Sequence, residues 1–232
     1  MQSTPQSYLD RSVVHSARVW AALPQLLGED RVQRRWCGLG NATQSLHHEI
    51  LWSYITTGRP PASAGLDPML LEDLHRRDLI VLADGNISAA YPFSSHSTPH
   101  SVTIGGRLVF CVCAIDAMGV GAMLDRAVSV RLTCARCLRP ISVDVASGGL
   151  GVAHATPDTS VIWAGIVAIN SCAATSQCLS MLAFCERAHL AGWQGDDATR
   201  CQGFEFSLDE AAQAGAAIFR PFLPQNEAEI SR

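Results

Sequence analysis

The chain has 232 residues, a formal net charge of −4, and 48% hydrophobic against 16% charged residues. This is globular composition with enough apolar residues for a sizeable core, so disorder of the whole chain is excluded. The mild acidity excludes a strong basic field for nucleic acid. All 17 basic residues are Arg, which excludes a Schiff-base lysine and a phosphate-loop lysine.

In chain order, the opening MQSTPQSYLDRS is polar and has no apolar h-region, so no secretory signal is expected. Residues 1–40 read as helical. Val13, Val14, Ala17, Trp20, Ala21 and Leu23 fall near helical spacing within Ser12–Leu27. A second helix runs from Asn41 or Thr43 to about Thr57, with Leu46, Ile50, Leu51, Tyr54 and Ile55 on one face. Gly58-Arg-Pro-Pro61 stops it. Pro68 opens a third helix, and Ile80–Leu82, the turn Asp84-Gly85-Asn86 and Ile87–Tyr91 follow as a hairpin. Helix, turn, helix and hairpin outline a winged helix over residues 1–92.

Residues 93–232 read as a second, α+β unit, with the charge-poor Phe93–His100 as the candidate linker. Ser101–Ile104 and Leu108–Ala114 form a hairpin across Gly105-Gly106. Ala127–Cys134 and Pro140–Val145 alternate as antiparallel strands. Val161–Ile169 is a buried strand of nine residues, too short to span a membrane. Cys178–Ala191 reads as a helix. Ser207–Phe219 reads as another, with Ser207 and Glu210 placed for a capping box. No membrane segment is expected, and the protein is expected to be cytoplasmic.

Nine cysteines remain to be explained: 37, 111, 113, 134, 137, 172, 178, 185 and 201. An odd number without a signal argues against a disulfide framework. The alternatives are buried thiols, a metal, or thiolate chemistry. In Cys111-Val-Cys113-Ala-Ile-Asp116 the two thiols share a strand face. A helix starting near Ala114 would bring Asp116 back towards Cys113, a nucleophile beside a proton carrier. Two core thiols and an N-cap Asp fit the same residues. Cys134-Ala-Arg-Cys137 completes a C-x-C-x20-C-x2-C set with tolerable zinc spacing, or is a core thiol beside a turn thiol. Cys178 and Cys185, seven apart, fit one packed helix face, and His189 fits a solvated one. Arg76 and Arg77 on the third helix are interrupted by Glu72, Asp73 and Asp78, a poor face for phosphate.

These landmarks together resemble the alkylmercury (organomercurial) lyase family over roughly residues 45–220. Gly58-Arg-Pro, then Phe110, Cys113-Ala-Ile-Asp116, Leu132-Thr-Cys-Ala135, and Cys178 fifteen residues before Trp193 follow the family's order. The sequence departs from it at Val112, where the family commonly has Trp. It departs again at Cys178-Leu-Ser-Met-Leu, where the family commonly has Cys-Cys-His-x-His. The resemblance implies a mixed or antiparallel sheet core with packed helices and protonolysis of carbon–mercury bonds. Cys113 and Cys178 would be thiolate ligands of Hg(II) and Asp116 the proton carrier and third ligand. No cofactor is implied beyond bound Hg(II) product and a small-molecule thiol, with a hand-off to a mercuric reductase. Such chemistry is plausible for a soft ion that prefers thiolates. The rival reading is a non-catalytic, cysteine-rich metal-binding or metal-sensing winged-helix protein, with Cys111, Cys113, Cys134 and Cys137 holding zinc or a heavy metal.

Overall fold

The structure, a computed structural model, describes residues 8–167 and 172–224. Four helices lead: α1 (Ala17–Leu27), α2 (Glu29–Trp36), α3 (Asn41–Thr57) and α4 (Pro68–Arg76). Their ends follow local chemistry. The Ser16 hydroxyl accepts the Val19 N–H, and the Asp67 carboxylate accepts the N–H groups of Met69 and Leu70. Gly58 ends α3 in a left-handed conformation (φ 82°). There a side chain would crowd Arg107, whose Cδ lies 3.1 Å from the position of a Cβ.

The hairpin expected after α4 is present as β1 (Ile80–Ala83) and β2 (Asn86–Ala90). It does not stand apart. β3 (Phe93–Ser94) bonds to β2 on one side and to β5 (Arg107–Cys111) on the other. The sheet continues through β4 (His100–Ile104), β6 (Val128–Thr133), β7 (Pro140–Val145) and β8 (Val152–Thr156). Its order is β1-β2-β3-β5-β4-β6-β7-β8, and every pairing is antiparallel. The candidate linker therefore begins as a buried strand. Phe93 is fully buried and stacks on Tyr54 of α3, so its burial outweighs the polar character of the residues that follow.

A second sheet has the order β10-β9-β11, from β9 (Val161–Gly165), β10 (Met181–Phe184) and β11 (Gly203–Ser207). The expected continuation of β9 to Ile169 lies in part outside the described residues. The helix expected over Cys178–Ala191 is not formed. Gln177–Ser180 make a 3-10 turn and Met181–Phe184 pair antiparallel with Val161–Ala164. Only then does α6 (Arg187–Gly195) begin. The apolar spacing of Cys178, Met181, Leu182 and Cys185 mimics a helix, but pairing with the buried β9 overrides local preference.

α5 (Ala114–Met123) is the centre of the molecule, and all ten of its residues are buried. A helix apolar on every side must be covered on every side. It packs on α7 (Leu208–Phe219), which carries the anticipated Ser207–Glu210 capping box. The crossing depends on Gly119 and Gly215. A Cβ at Gly215 would lie 2.6 Å from both N and Cα of Gly119, against backbone that has no way to rotate aside. Gly215→Ala should cost about 1–3 kcal/mol or more through overpacking. An unchanged urea midpoint for this variant would show that the two helices part freely.

Candidate active site

β5 ends at Cys111, and Cys113 is the N-cap of α5 in extended conformation (φ −145°, ψ 178°). Its Sγ accepts the Asp116 N–H at 3.4 Å. The cap is thus the cysteine and not the aspartate. Asp116, at the third helical position, turns back towards it. Cys178 comes from the 3-10 turn between β9 and β10, and its thiol lies 4.0 Å from Asp116 Oδ2. One ligand atom from each of Cys113, Asp116 and Cys178 lies within 4.8 Å of the others. The turn is fixed from below. Gln177 Nε2 donates to Gly165 O at 2.6 Å, Ser180 Oγ donates to the same carbonyl at 3.0 Å, and the Cys178 N–H reaches Ala173 O at 2.9 Å.

Burial governs the electrostatics. It raises the Asp116 carboxyl to about 7, against the opposing hydrogen bond from Cys113 and the pull of Arg35. Burial likewise raises the Cys113 thiol well above its usual value. For Cys178 the largest single influence, its hydrogen bond with the Cys113 thiol, favours the thiolate. Burial and the Asp116 charge together outweigh it, and this thiol is raised too. Near neutral pH the cluster is two thiols around a carboxyl that titrates. Cys113 and Asp116 are 2% and 5% exposed, whereas Cys178 is of intermediate exposure and packs against the core.

Behind the cluster lies a buried ion group absent from the sequence analysis. Asp78, 1% exposed, pairs with Arg31 Nε at 3.4 Å and Arg35 Nη2 at 3.1 Å, both from α2. Its other oxygen accepts from Tyr91 Oη at 3.1 Å and from the Ala173 N–H at 3.1 Å. Tyr91 Oη accepts the Ala174 N–H at 2.8 Å and lies 3.7 Å from Cys172 Sγ. This group ties the N-terminal helices to the segment that delivers Cys178. The available signal was a pair of arginines four apart on a short helix, which share one face and need a counter-charge if that face is buried.

The remaining thiols group differently from the expected zinc set. Cys134 and Cys137 meet Cys185 and His189, again with ligand atoms within 4.8 Å of one another, while Cys113 belongs to the first cluster. Among the described residues, the quartet Cys111, Cys113, Cys134 and Cys137 therefore does not assemble. Cys178 and Cys185 serve different clusters because a strand separates them, and His189 faces thiols rather than bulk water. Cys111 is fully buried at the end of β5, and Cys37 and Cys201 are exposed.

Two more buried titrating groups set the acid stability. Burial lowers His47 to about 3, helped by His48, and lowers His100 to about 4. The unfolded chain binds a proton at each near pH 6.5, so each lowers stability as pH falls below that value. Asp116 acts the other way. Its raised value makes the folded chain bind a proton that the unfolded chain releases, which adds stability as pH falls from about 7 towards 4. Two protons against one leave a net loss of about 1.4 kcal/mol per pH unit between roughly 6.5 and 4. Urea midpoints at pH 6.5, 5.5 and 4.5 check this. A flat series would mean that at least one imidazole is solvated.

The fold is α+β, and its best-defined site is two thiols and a carboxyl enclosed in the core, a donor set suited to a soft metal ion. The alkylmercury lyase family model matches residues 93–220, more than half of the chain, and the chain belongs to the alkylmercury lyase family, a family of enzymes. The solved mercury-bound form of MerB2 is similar in fold, with a TM-score of 0.66 at 24% identity over 89% of this chain and 99% of that one. No curated protein matches the chain. Among the described residues no helix is long and apolar enough to cross a membrane.

Proposed function

We propose that this chain cleaves carbon–mercury bonds by protonolysis, with Cys113 and Cys178 as thiolate ligands and Asp116 as proton carrier. The observation that carries the reading is the convergence of these three side chains around a carboxyl raised to about 7. A thiol-bound substrate R′S–Hg–R meets Cys178 first, the less buried of the two cysteines. Its sulfur displaces R′S, and its proton leaves with R′SH. The Asp116 carboxylate then takes the proton of Cys113, whose sulfur adds to mercury as the second thiolate. Electron density moves towards carbon, Asp116 delivers its proton there, and the Hg–C bond breaks to R–H. Mercury(II) remains on two sulfurs beside the Asp116 oxygen. Two thiol protons are consumed, one on R′S and one on carbon, so no other cofactor enters.

A small cellular thiol then releases the ion, and a mercuric reductase is the fitting recipient. In this reading the protein is a cytoplasmic detoxification enzyme. Residues 1–92 form a winged-helix-like module whose task is to brace residues 93–232 through Asp78 rather than to read DNA. Arg76 and Arg77 support this, since both pair with Asp73 at 3.2 and 3.0 Å, and Arg77 also binds the carbonyls of Arg34, Cys37 and Gly38.

The test is benzene release from phenylmercury with excess small thiol, beside Asp116→Ala and Cys178→Ser. Catalytic release by the native chain, lost in both variants, supports the assignment. Stoichiometric mercury retention without benzene would make the chain a binding relative that lost the reaction. Cys201→Ser, exposed and in neither cluster, should turn over at the native rate.

A further inference from the structure

We propose that Cys134, Cys137, Cys185 and His189 bind one zinc ion per chain in a closed, structural Cys3His site separate from the Cys113–Asp116–Cys178 cluster. The Cys137–Cys185 and Cys134–His189 separations are those of a tetrahedron's edges, and the Cys185–His189 pair is closer still. With Zn–S about 2.3 Å and Zn–N about 2.0–2.1 Å, the edges of a tetrahedral site are about 3.5–3.8 Å. Cys137 Sγ lies 3.7 Å from Cys185 Sγ, and His189 Nδ1 lies 3.6 Å from Cys134 Sγ and 3.1 Å from Cys185 Sγ. A disulfide needs about 2.05 Å between sulfurs, so the pair is spaced for a shared ion and not for a bond.

The backbone around the first two cysteines is shaped independently for the same task. Cys134-Ala-Arg-Cys137 forms a tight knuckle in which the Leu138 N–H reaches Cys134 O at 2.9 Å and the Cys134 N–H reaches Arg139 O at 2.9 Å. Leu138 follows in a left-handed conformation (φ 63°), 74% exposed, which a bulky residue adopts only when its surroundings impose it.

The histidine is oriented as a ligand. Glu186 Oε1 lies 3.2 Å from His189 Nε2, leaving Nδ1 directed at the sulfurs. A carboxylate on the outer imidazole nitrogen is the usual support of a metal-bound histidine. Four protein ligands leave no open position, so the ion is structural and not catalytic. Three thiols with one imidazole suit tetrahedral zinc better than mercury(II), which prefers two thiolates in line. The ligands come from the end of β6, the end of β10 and the first turn of α6, already bridged by the Ala135 N–H to Ala183 O at 2.9 Å. Zinc there would fasten the large sheet to the small one, one strand beyond Cys178.

Metal content of the full chain, purified under reducing conditions, tests the proposal. We expect about one zinc per chain. We expect its loss to below about a tenth of an equivalent in Cys137→Ser and in His189→Ala, and its retention in Cys113→Ser and Cys178→Ser. Cobalt loaded in place of zinc should show the intense visible bands of a tetrahedral thiolate site. Chelator should lower the thermal midpoint of the native chain and not that of Cys137→Ser. Circular dichroism keeps the variants interpretable, since Cys137 is exposed and its replacement leaves the core unchanged. A metal-free native chain, or zinc that survives Cys137→Ser and disappears with Cys113→Ser, overturns the proposal. None of these readouts depends on benzene release, so the lyase reading stands or falls separately.

Discussion

Asp116→Asn should bind phenylmercury through its two thiols and release benzene about 10²–10⁴-fold more slowly than the native chain, the usual worth of a positioned proton carrier. Asn keeps the size and the helical position but neither takes the Cys113 proton nor gives one to carbon. The pH profile carries the sharper signature. Burial raises Asp116 to about 7, so below that pH the carboxyl is protonated and the base that ionises Cys113 is missing. Native turnover should therefore rise as pH increases through about 7. It should then stay level, because burial holds the Cys113 thiol well above its usual range. In Asp116→Asn the rise should vanish along with most of the rate. A variant within a few-fold of native, or one that keeps the inflection near 7, would remove Asp116 from the reaction.

Asp78→Asn should be the most damaging single change away from the reacting atoms. Asp78 faces two guanidinium groups with 3% and 7% side-chain exposure, and Asn removes the charge while tolerating the left-handed backbone at this position (φ 57°). Breaking a buried ion group by removing one partner costs about 3–5 kcal/mol, since the charges left behind stay out of water. The expected result is a fall of that size in urea-measured stability, together with weaker benzene release at temperatures where the chain remains folded. The second effect follows from the Ala173 N–H and Tyr91 hydroxyl, which share the carboxylate and hold the approach to Cys178. A stable variant with unchanged turnover would show that the segment is positioned by Gln177 and Ser180 alone.

Local rules made much of this legible. The alternation in β6 and β7, the capping box of α7, the stop at Gly58 and the start at Pro68 need only neighbours in sequence, and each was read correctly. Cys113, Asp116 and Cys178 were singled out by the order of short motifs, and the structure brings the three side chains together. What escaped were features decided across long sequence separations. β10 pairs with β9 some twenty residues earlier, and that pairing turned an apparent helix face into a strand dividing Cys178 from Cys185. Cys134 and Cys137 were paired with the wrong cysteines because spacing along the chain says nothing of which strand ends meet. The pairing of Arg31 and Arg35 with Asp78 was missed since a buried ion group has no periodicity of its own.

The fully enclosed α5 also bears on how the chain is made. All ten of its residues are buried, and its partner α7 begins at Leu208, 85 residues after Met123. At about 5–20 residues per second of synthesis, those residues take roughly 4–17 s to follow. For that interval the nascent chain displays an apolar helix with one side uncovered, at the stage when aggregation competes with folding. Completion of the core waits on that later segment. Release of a chain truncated before Leu208 should therefore yield insoluble product and not a smaller, weaker enzyme.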